Sequence, residues 1–250
     1  MSPGTFRKSY SSHQDLGRVV ANHAWLAEHA KPLQLPTLVA VHADHIEFGF
    51  INGRHCSVDD APTVAITLGQ AHAAAWQSDL HRAMLTRSHP TSDTHELPDF
   101  ASPRIRALDR HHEAGLISAS ELAVVRPLLE PHPAELAAFY KDTNPRNVMI
   151  TSGDPVMLDL DDLTLAPFGY DLAKLLVTLA MTYGPLPSGA YAAALACYNR
   201  PLLDAGLPLV PIRRLLEYAE LHHLLTLPYL GMGGYRHPWP TVRPTSEELQ

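Results

Sequence analysis

Apolar positions recur every three or four residues between Asp15 and Ala30. Leu16, Val19, Val20, His23, Leu26 and Ala27 share one face, so "DLGRVVANHAWLAEHA" is predicted as an amphipathic helix. Before it, "TFRKSY" has the length of a short strand. "PTLVAVHADHIEFGFINGRH" is rich in β-branched and aromatic residues and predicts two strands. Its "INGR" is a turn signal, with Gly53 able to take a positive φ. From Val64, "VAITLGQAHAAAW" is helical, with Asp59 or Asp60 as the candidate cap. "RSHPTSDTHELPDFASP" is the longest loop candidate.

Beyond that loop the pattern turns helical, in "RIRALDRHHEAG" and then "ASELAVVRPLLE" with Ser120 as a candidate cap. "NVMIT" and "PVMLDL" predict short strands joined at "SGD". "YDLAKLLVTLAMTYG", "GAYAAALACYNRPLLDAG" and "PIRRLLEYAELHHLLTLPYL" complete a helical, Pro-punctuated remainder. No internal repeat is visible. A small strand-bearing part, residues 1–55, therefore precedes a larger helical part, residues 56–250, with the joint near Gly53 to Ala61.

The composition narrows the function. The chain has 250 residues, 46% of them apolar and 18% charged, which is an ordinary globular balance. A net charge of −7 argues against a nucleic-acid surface. Cys56 and Cys197 are far apart and lack metal-ligand spacing, so they read as reduced thiols of a cytoplasmic protein. The start of the chain has no apolar signal core, and no apolar run reaches membrane-spanning length. Sixteen histidines are scattered without an HExxH pair, as surface and packing residues would be.

The informative stretch begins at Phe139: "FYKDTNPRNVMITSGDPVMLDLDDLTLAPFGYDLAKLL". It brings Asp142, Asn147, Asp159, Asp161, Asp162 and Asp171 close together. Carboxylates at this density repel, and they need a shared cation, several hydrogen bonds or open solvent. Phosphoryl transfer uses such a set: one carboxylate orients and deprotonates a hydroxyl, and oxygen ligands hold Mg2+ on the triphosphate. The kinase catalytic loop spaces its Asp and Asn five residues apart. Asp142 and Asn147 have that spacing, and Asp159 ends the strand that follows.

The segments "YKDTNPRN", "MLDLDD" and "YDLA" resemble the catalytic segment of the aminoglycoside phosphotransferase family, which reads roughly HGDxxxxN, then a strand ending in a metal-binding Asp, then "YDLA". "LGQAHAA" and "FINGR" are weaker likenesses to its post-hinge helix and turn. The resemblance implies an α+β, bilobal, protein-kinase-like fold with a reduced N-terminal lobe. It implies ATP or GTP as donor in the cleft, Mg2+ as cofactor, and a hydroxylated small molecule as acceptor, with antibiotic self-resistance as a possible role. Asp142 would be the base, and Asn147 and Asp159 the Mg2+ ligands. Gly49, Phe50 and Ile51 would form the hinge against the nucleobase, and Lys8 would be the lysine of the third kinase strand. For the acceptor the candidates are Asp162, Glu217, Tyr235 and Trp239, with Glu220 and His222 beside them. Asp171 reads as a helix cap that braces the catalytic loop.

The chain departs from the family in three places. Tyr140 and Lys141 stand where the family has His and Gly, and only seven residues precede Lys8, too few for a Gly-rich hairpin. Lys141 and Arg146 flank the catalytic pair and are expected to take over part of the phosphate neutralisation. Two alternatives stay open. A degenerate kinase would be a binding module. "VMLDLDD" also resembles the DxDx(T/V) motif of haloacid-dehalogenase-type phosphatases, with Asp159 as nucleophile, although Leu163 is not the expected Thr or Val.

Overall fold

The structure is a computed structural model that describes residues 4–245. Strand β1 (Thr5–Ser9) lies antiparallel to β3 (His45–Gly49), which pairs on its other side with β2 (Leu38–Val41). Helix α1 (His13–His29) starts at Ser12, whose hydroxyl accepts from the Asp15 amide at 3.1 Å. It buries Leu16, Val19, Asn22, Trp25 and Leu26. The predicted face is off at two points: Ala27 is exposed, while polar Asn22 is buried.

The hairpin between β2 and β3 turns at 42–44, not at "INGR". That segment instead leads from β3 to β4 (Arg54–His55), and Gly53 has no positive φ. Glycine is needed there for another reason: a Cβ would lie 2.6 Å from the Ile150 carbonyl oxygen. Strand β4 pairs with β8 (Val148–Ile150), and β8 with β9 (Val156–Met157), giving the order β4-β8-β9.

The predicted long loop contains a hairpin, β5 (His89–Ser92) and β6 (His95–Leu97). Strand β7 (Ala137–Tyr140) pairs antiparallel with β10 (Thr164–Pro167). Neither of these pairs shows an alternating pattern, because β7 is a buried apolar run and β5–β6 is mostly polar.

Helices α2 (Ala61–Ser78), α3 (Ala101–Glu113), α4 (Ala119–Val125), α5 (Tyr170–Tyr183), α6 (Ala190–Asp204), α7 (Ile212–Thr226) and α8 (Trp239–Val242) make up the rest. No helix of the described residues is long and apolar enough to cross a membrane. One cap differs from expectation: Ser118, not Ser120, caps α4, in a box with Glu121. Asp60 stands at the N-cap of α2 as expected, but its carboxylate makes no capping bond there; it accepts from the Ser57 amide at 2.8 Å and pairs with Arg54.

Helix α5 is buried at every residue from Tyr170 to Met181, and α2 packs closely on α6. Gly69 permits that packing: a Cβ there would lie 2.3 Å from the Tyr198 carbonyl oxygen. On α2, buried His72 bonds the Tyr198 hydroxyl at 2.7 Å, and that hydroxyl accepts from the Gly169 amide at 3.0 Å, just ahead of α5. Burial pushes the His72 pKa down to about 3, so this core histidine is neutral. Gly69→Ala is expected to lower stability by about 1–3 kcal/mol through overpacking. Urea denaturation should show a lower midpoint at an unchanged m value; an unchanged midpoint would contradict the close approach.

Candidate active site

Strand β7 delivers the chain to Asp142, whose φ is 55°. Such a left-handed backbone is costly for a side chain with a Cβ and needs support from its surroundings. Buried Asp171, in the first turn of α5, supplies it. Its carboxylate accepts from the backbone amides of Lys141 at 3.2 Å and Thr143 at 2.9 Å. Asp171 therefore braces the loop, while α5 itself begins after Gly169 at φ 85°. Within the loop Asn147 donates its side-chain amide to the Asp142 carbonyl at 3.0 Å, and Asn144 accepts from the Arg146 amide at 3.1 Å.

The Asp142 carboxylate is half-buried and held on both sides. Tyr140 donates to Oδ1 at 2.8 Å, and the Lys174 ammonium lies 3.3 Å from the same oxygen. Burial alone would raise the Asp142 pKa; the charge of Lys174 and the Tyr140 hydrogen bond outweigh it and hold the carboxyl below its ordinary value. The result is an ionised, oriented carboxylate able to take up a proton. Lys174, Tyr140 and Asn144 were not anticipated from sequence. Lys174 had a readable signal, as a lone cation in the apolar run "LAKLL", because a buried charge must find a partner.

Asp159 follows β9, also in the left-handed region, at φ 56°. Its Oδ1 accepts from Lys8 Nζ at 2.7 Å, and Asp161 Oδ1 accepts from the same ammonium at 2.8 Å. Lys8 thus rests on the two acids. On α1, buried Asn22 donates to the Leu160 carbonyl at 2.7 Å and accepts from His95 at 2.9 Å. It fastens α1 to the segment carrying Asp159. Asp162 is exposed, and its pKa is raised by the protein packed beside it and by Asp142, Asp159 and Asp161. The crowding is what a bound cation would relieve. With the Asn147 amide nitrogen committed to Asp142, its oxygen is the free end, and the donor set is all oxygen; these residues fit Mg2+.

Two cavities flank the segment 158–162. One, of about 390 Å³, is lined by Lys8, Gly49, Phe50, Ile51, Leu158 and Asp159, so the expected hinge residues and Lys8 surround one space, which Lys141 and Arg146 do not reach. The other, of about 420 Å³, is lined by Asp142, Asn144, Asp162, Tyr170, Lys174 and Tyr235, among others. His222 and Arg104 line it too. Burial, and then the Lys174 charge, push His222 well below its ordinary pKa, so it is neutral.

Four expected site residues, Lys141, Glu217, Glu220 and Trp239, lie elsewhere. Lys141 is 1% exposed, lines neither cavity, and points its ammonium at the carbonyls of Leu158 and Asp159. It ties the catalytic loop to the Asp159 segment and does not face a nucleotide. Glu217 pairs with Arg213 and Arg214 on α7. Trp239 is buried and donates to Glu220 at 3.0 Å. Glu217, Glu220 and Trp239 border a separate groove, away from Asp142. Arg146 is exposed with its guanidinium 5.0 Å over the Tyr235 ring, on the Asp142 side rather than the Lys8 side.

Burial drives the Lys141 pKa down to about 8, against attraction from Asp171 and Asp159. Between that value and its ordinary 10.5 the unfolded chain binds more protons than the folded one. Wild-type stability should therefore rise relative to Lys141→Met as pH climbs through that window, and the difference should be flat below it. Urea midpoints at pH 7 and pH 10 test this. In the folded variant the ATP Kd should be unchanged, and a weakened Kd would restore Lys141 to the nucleotide site.

The chain was compared with known proteins by sequence and by structure. The sequence model of the phosphotransferase enzyme family (APH) matches residues 5–209. No curated protein sequence matches the chain. In structure it is similar to the macrolide 2'-phosphotransferase MphH from Brachybacterium faecium, at 15% identity and a TM-score of 0.59, over 98% of this chain and 86% of that one. It is similar to an aminoglycoside-3'-phosphotransferase of type VIII at 20% identity and a TM-score of 0.58, over 88% and 84% of the two chains. It is also similar to the amicoumacin kinase hAmiN, solved with AMP-PNP, Ca2+ and Ami, at 12% identity and a TM-score of 0.59, over 98% and 78%.

Proposed function

The chain belongs to the phosphotransferase enzyme family and is a small-molecule phosphotransferase with a protein-kinase-like α+β fold; from that premise we propose that it moves the γ-phosphoryl group of ATP or GTP to an acceptor hydroxyl held at Asp142. The observation that carries this reading is the oriented Asp142 carboxylate beside a cavity that Lys8 and Asp159 do not line, with their own cavity on the other side of the segment 158–162. The haloacid-dehalogenase alternative has no support in the fold. β9 is a two-residue strand in an antiparallel sheet, and Lys8 occupies the carboxylates that would act as nucleophile and acid. Family membership likewise argues for an enzyme over a degenerate binding module.

In this reading the nucleotide lies against Gly49, Phe50 and Ile51, and Lys8 exchanges Asp159 and Asp161 for phosphate oxygens. Asn147 and Asp159 would hold Mg2+, which when bound neutralises phosphate charge. Asp142 accepts the proton of the acceptor hydroxyl as its oxygen bonds to the γ-phosphorus. The bond from that phosphorus to the bridging oxygen breaks, and the nucleoside diphosphate leaves with the electron pair. Tyr140 and Lys174 keep Asp142 ionised and aimed. The two lobes would be residues 1–55 and 56–250, and the protein would work in the cytoplasm. The acceptor would be an antibiotic or other hydroxylated natural product, in a self-resistance or related role.

The test is transfer of label from γ-labelled ATP or GTP across a panel of hydroxylated antibiotics and metabolites, together with calorimetric titration of each nucleotide. A labelled acceptor formed by wild type and not by Asp142→Asn supports the reading. Absence of binding by either nucleotide in the presence of Mg2+ overturns it.

A further inference from the structure

The acceptor cavity contains a buried cation whose charge the protein does not answer. Arg104, on α3, is 5% exposed and lines the cavity beside Asp142. Its Nε donates to the Tyr170 hydroxyl at 2.8 Å, Nη1 to the Phe100 carbonyl at 2.6 Å and Nη2 to the Thr164 hydroxyl at 3.1 Å. All three acceptors are neutral. A guanidinium has five N–H groups, so one on each terminal nitrogen remains. The rings of Phe100, Tyr140 and Tyr170 surround the guanidinium carbon at 4.5, 4.9 and 4.5 Å. Ring quadrupoles offset part of the cost of taking the charge out of water, but buried arginines are ordinarily paired with an anion. No carboxylate of the described residues forms an ion pair with Arg104.

The rest of the wall is balanced in charge. Asp142 answers Lys174, and Asp162 is matched in number by Arg146, which stacks on Tyr235, so Arg104 carries the net charge of the lining. An ammonium placed at Arg104 would meet an unanswered like charge. Tyr140 fixes the reach. Its ring lies against Arg104 and its hydroxyl donates to Asp142, so one phenol separates the guanidinium from the base. On the reading given above, we propose that Arg104 anchors an oxyanion of the acceptor, a carboxylate or a phosphate a few bonds from the reacting hydroxyl, so that this enzyme phosphorylates anionic hydroxylated small molecules rather than amines. Two N–H groups on a planar guanidinium suit such a group, and that planar pair is lost on change to lysine.

The full chain labelled with 15N-arginine supplies the test. The Arg104 Nε–H signal, assigned by its loss in Arg104→Lys, is followed while sodium acetate, inorganic phosphate, glucosamine or sodium chloride is added at matched ionic strength. The expected result is a saturable shift with acetate or phosphate, and none with glucosamine or chloride. Binding of the same oxyanion by Arg104→Lys should be at least about 10-fold weaker. Tighter acetate indicates a carboxylic acid acceptor, and tighter phosphate a phosphate ester. If neither oxyanion moves any arginine Nε–H signal of the wild type beyond the chloride control, the proposal is overturned, and this arm needs no assignment and no variant to fold. Nucleotide titration separates the two claims. A response at Arg104 without nucleotide binding upholds the anion subsite and sinks the kinase reading. Nucleotide binding without that response sinks the subsite alone.

Discussion

Asp142→Asn should lower kcat by about 10²–10⁴-fold, the usual loss when a positioned general base is removed, with the nucleotide Kd nearly unchanged. The isosteric amide can still accept from Tyr140 but cannot take the proton. The change has a second effect that marks the charge pairing. Lys174 is 9% exposed and Asp142 is its ion-pair partner, so the amide leaves a buried ammonium without its anion. The Tm should fall, and the double variant Asp142→Asn/Lys174→Met should recover stability without recovering turnover. Lys174→Met alone removes the cation that holds the Asp142 carboxyl low. The acid limb of its kcat profile should move to higher pH, since the base must be ionised to act. Wild-type kcat in Asp142→Asn on a phosphorylated acceptor would remove Asp142 from the role.

Asp159→Ala should cost about 10²–10³-fold in kcat, the range seen when one fixed electrostatic contact to a transition state is lost. It should also raise the Mg2+ concentration needed for half-maximal rate. Asp159 contributes the exposed carboxylate nearest Lys8, at 2.7 Å, and a neutral side chain there supplies no charge in its place. Asn147→Ala should shift the Mg2+ dependence in the same direction, with a smaller loss because a neutral oxygen holds the ion less strongly. Rates across a Mg2+ series for each variant check both claims. A covalent beryllofluoride or phosphate adduct at Asp159 would instead establish the phosphatase chemistry.

The positions of Asp142, Asn147, Asp159 and Asp171 in a loop, after a short strand and at a helix start could be expected from the chain because they follow local spacing. Gly49, Phe50 and Ile51 came from the family resemblance alone, and the structure places them with Lys8 around one cavity. What escaped depends on contacts distant in sequence. Arg104 is buried by rings from α3, β7 and α5. Lys141 seemed free to reach phosphate because nothing local shows that its ammonium turns under the strand to two carbonyls. Glu217 sits on a helix predicted as such, but helix periodicity does not say which face meets the cavity, and Trp239 begins a short helix that the pattern did not show. Gly53 and Gly69 are there for close packing, a reason that turn statistics do not contain.

Asp142 and Asp159 both hold a left-handed backbone that an L-residue adopts at a cost of about 1–3 kcal/mol. The strain sits at the two carboxylates on which turnover is proposed to depend, but only one of them is free to relax. Glycine at Asp142 would strand the buried Lys174 ammonium, whereas glycine at exposed Asp159 leaves Lys8 paired with Asp161 and would relax the fold while crippling the chemistry. A lineage no longer selected for catalysis would drift toward that glycine because it is thermodynamically favourable, and its descendants would be sturdier than their ancestor and silent. Library screens that reward thermal survival alone would retrace that path, so any campaign to harden this enzyme has to hold the Asp159 codon fixed.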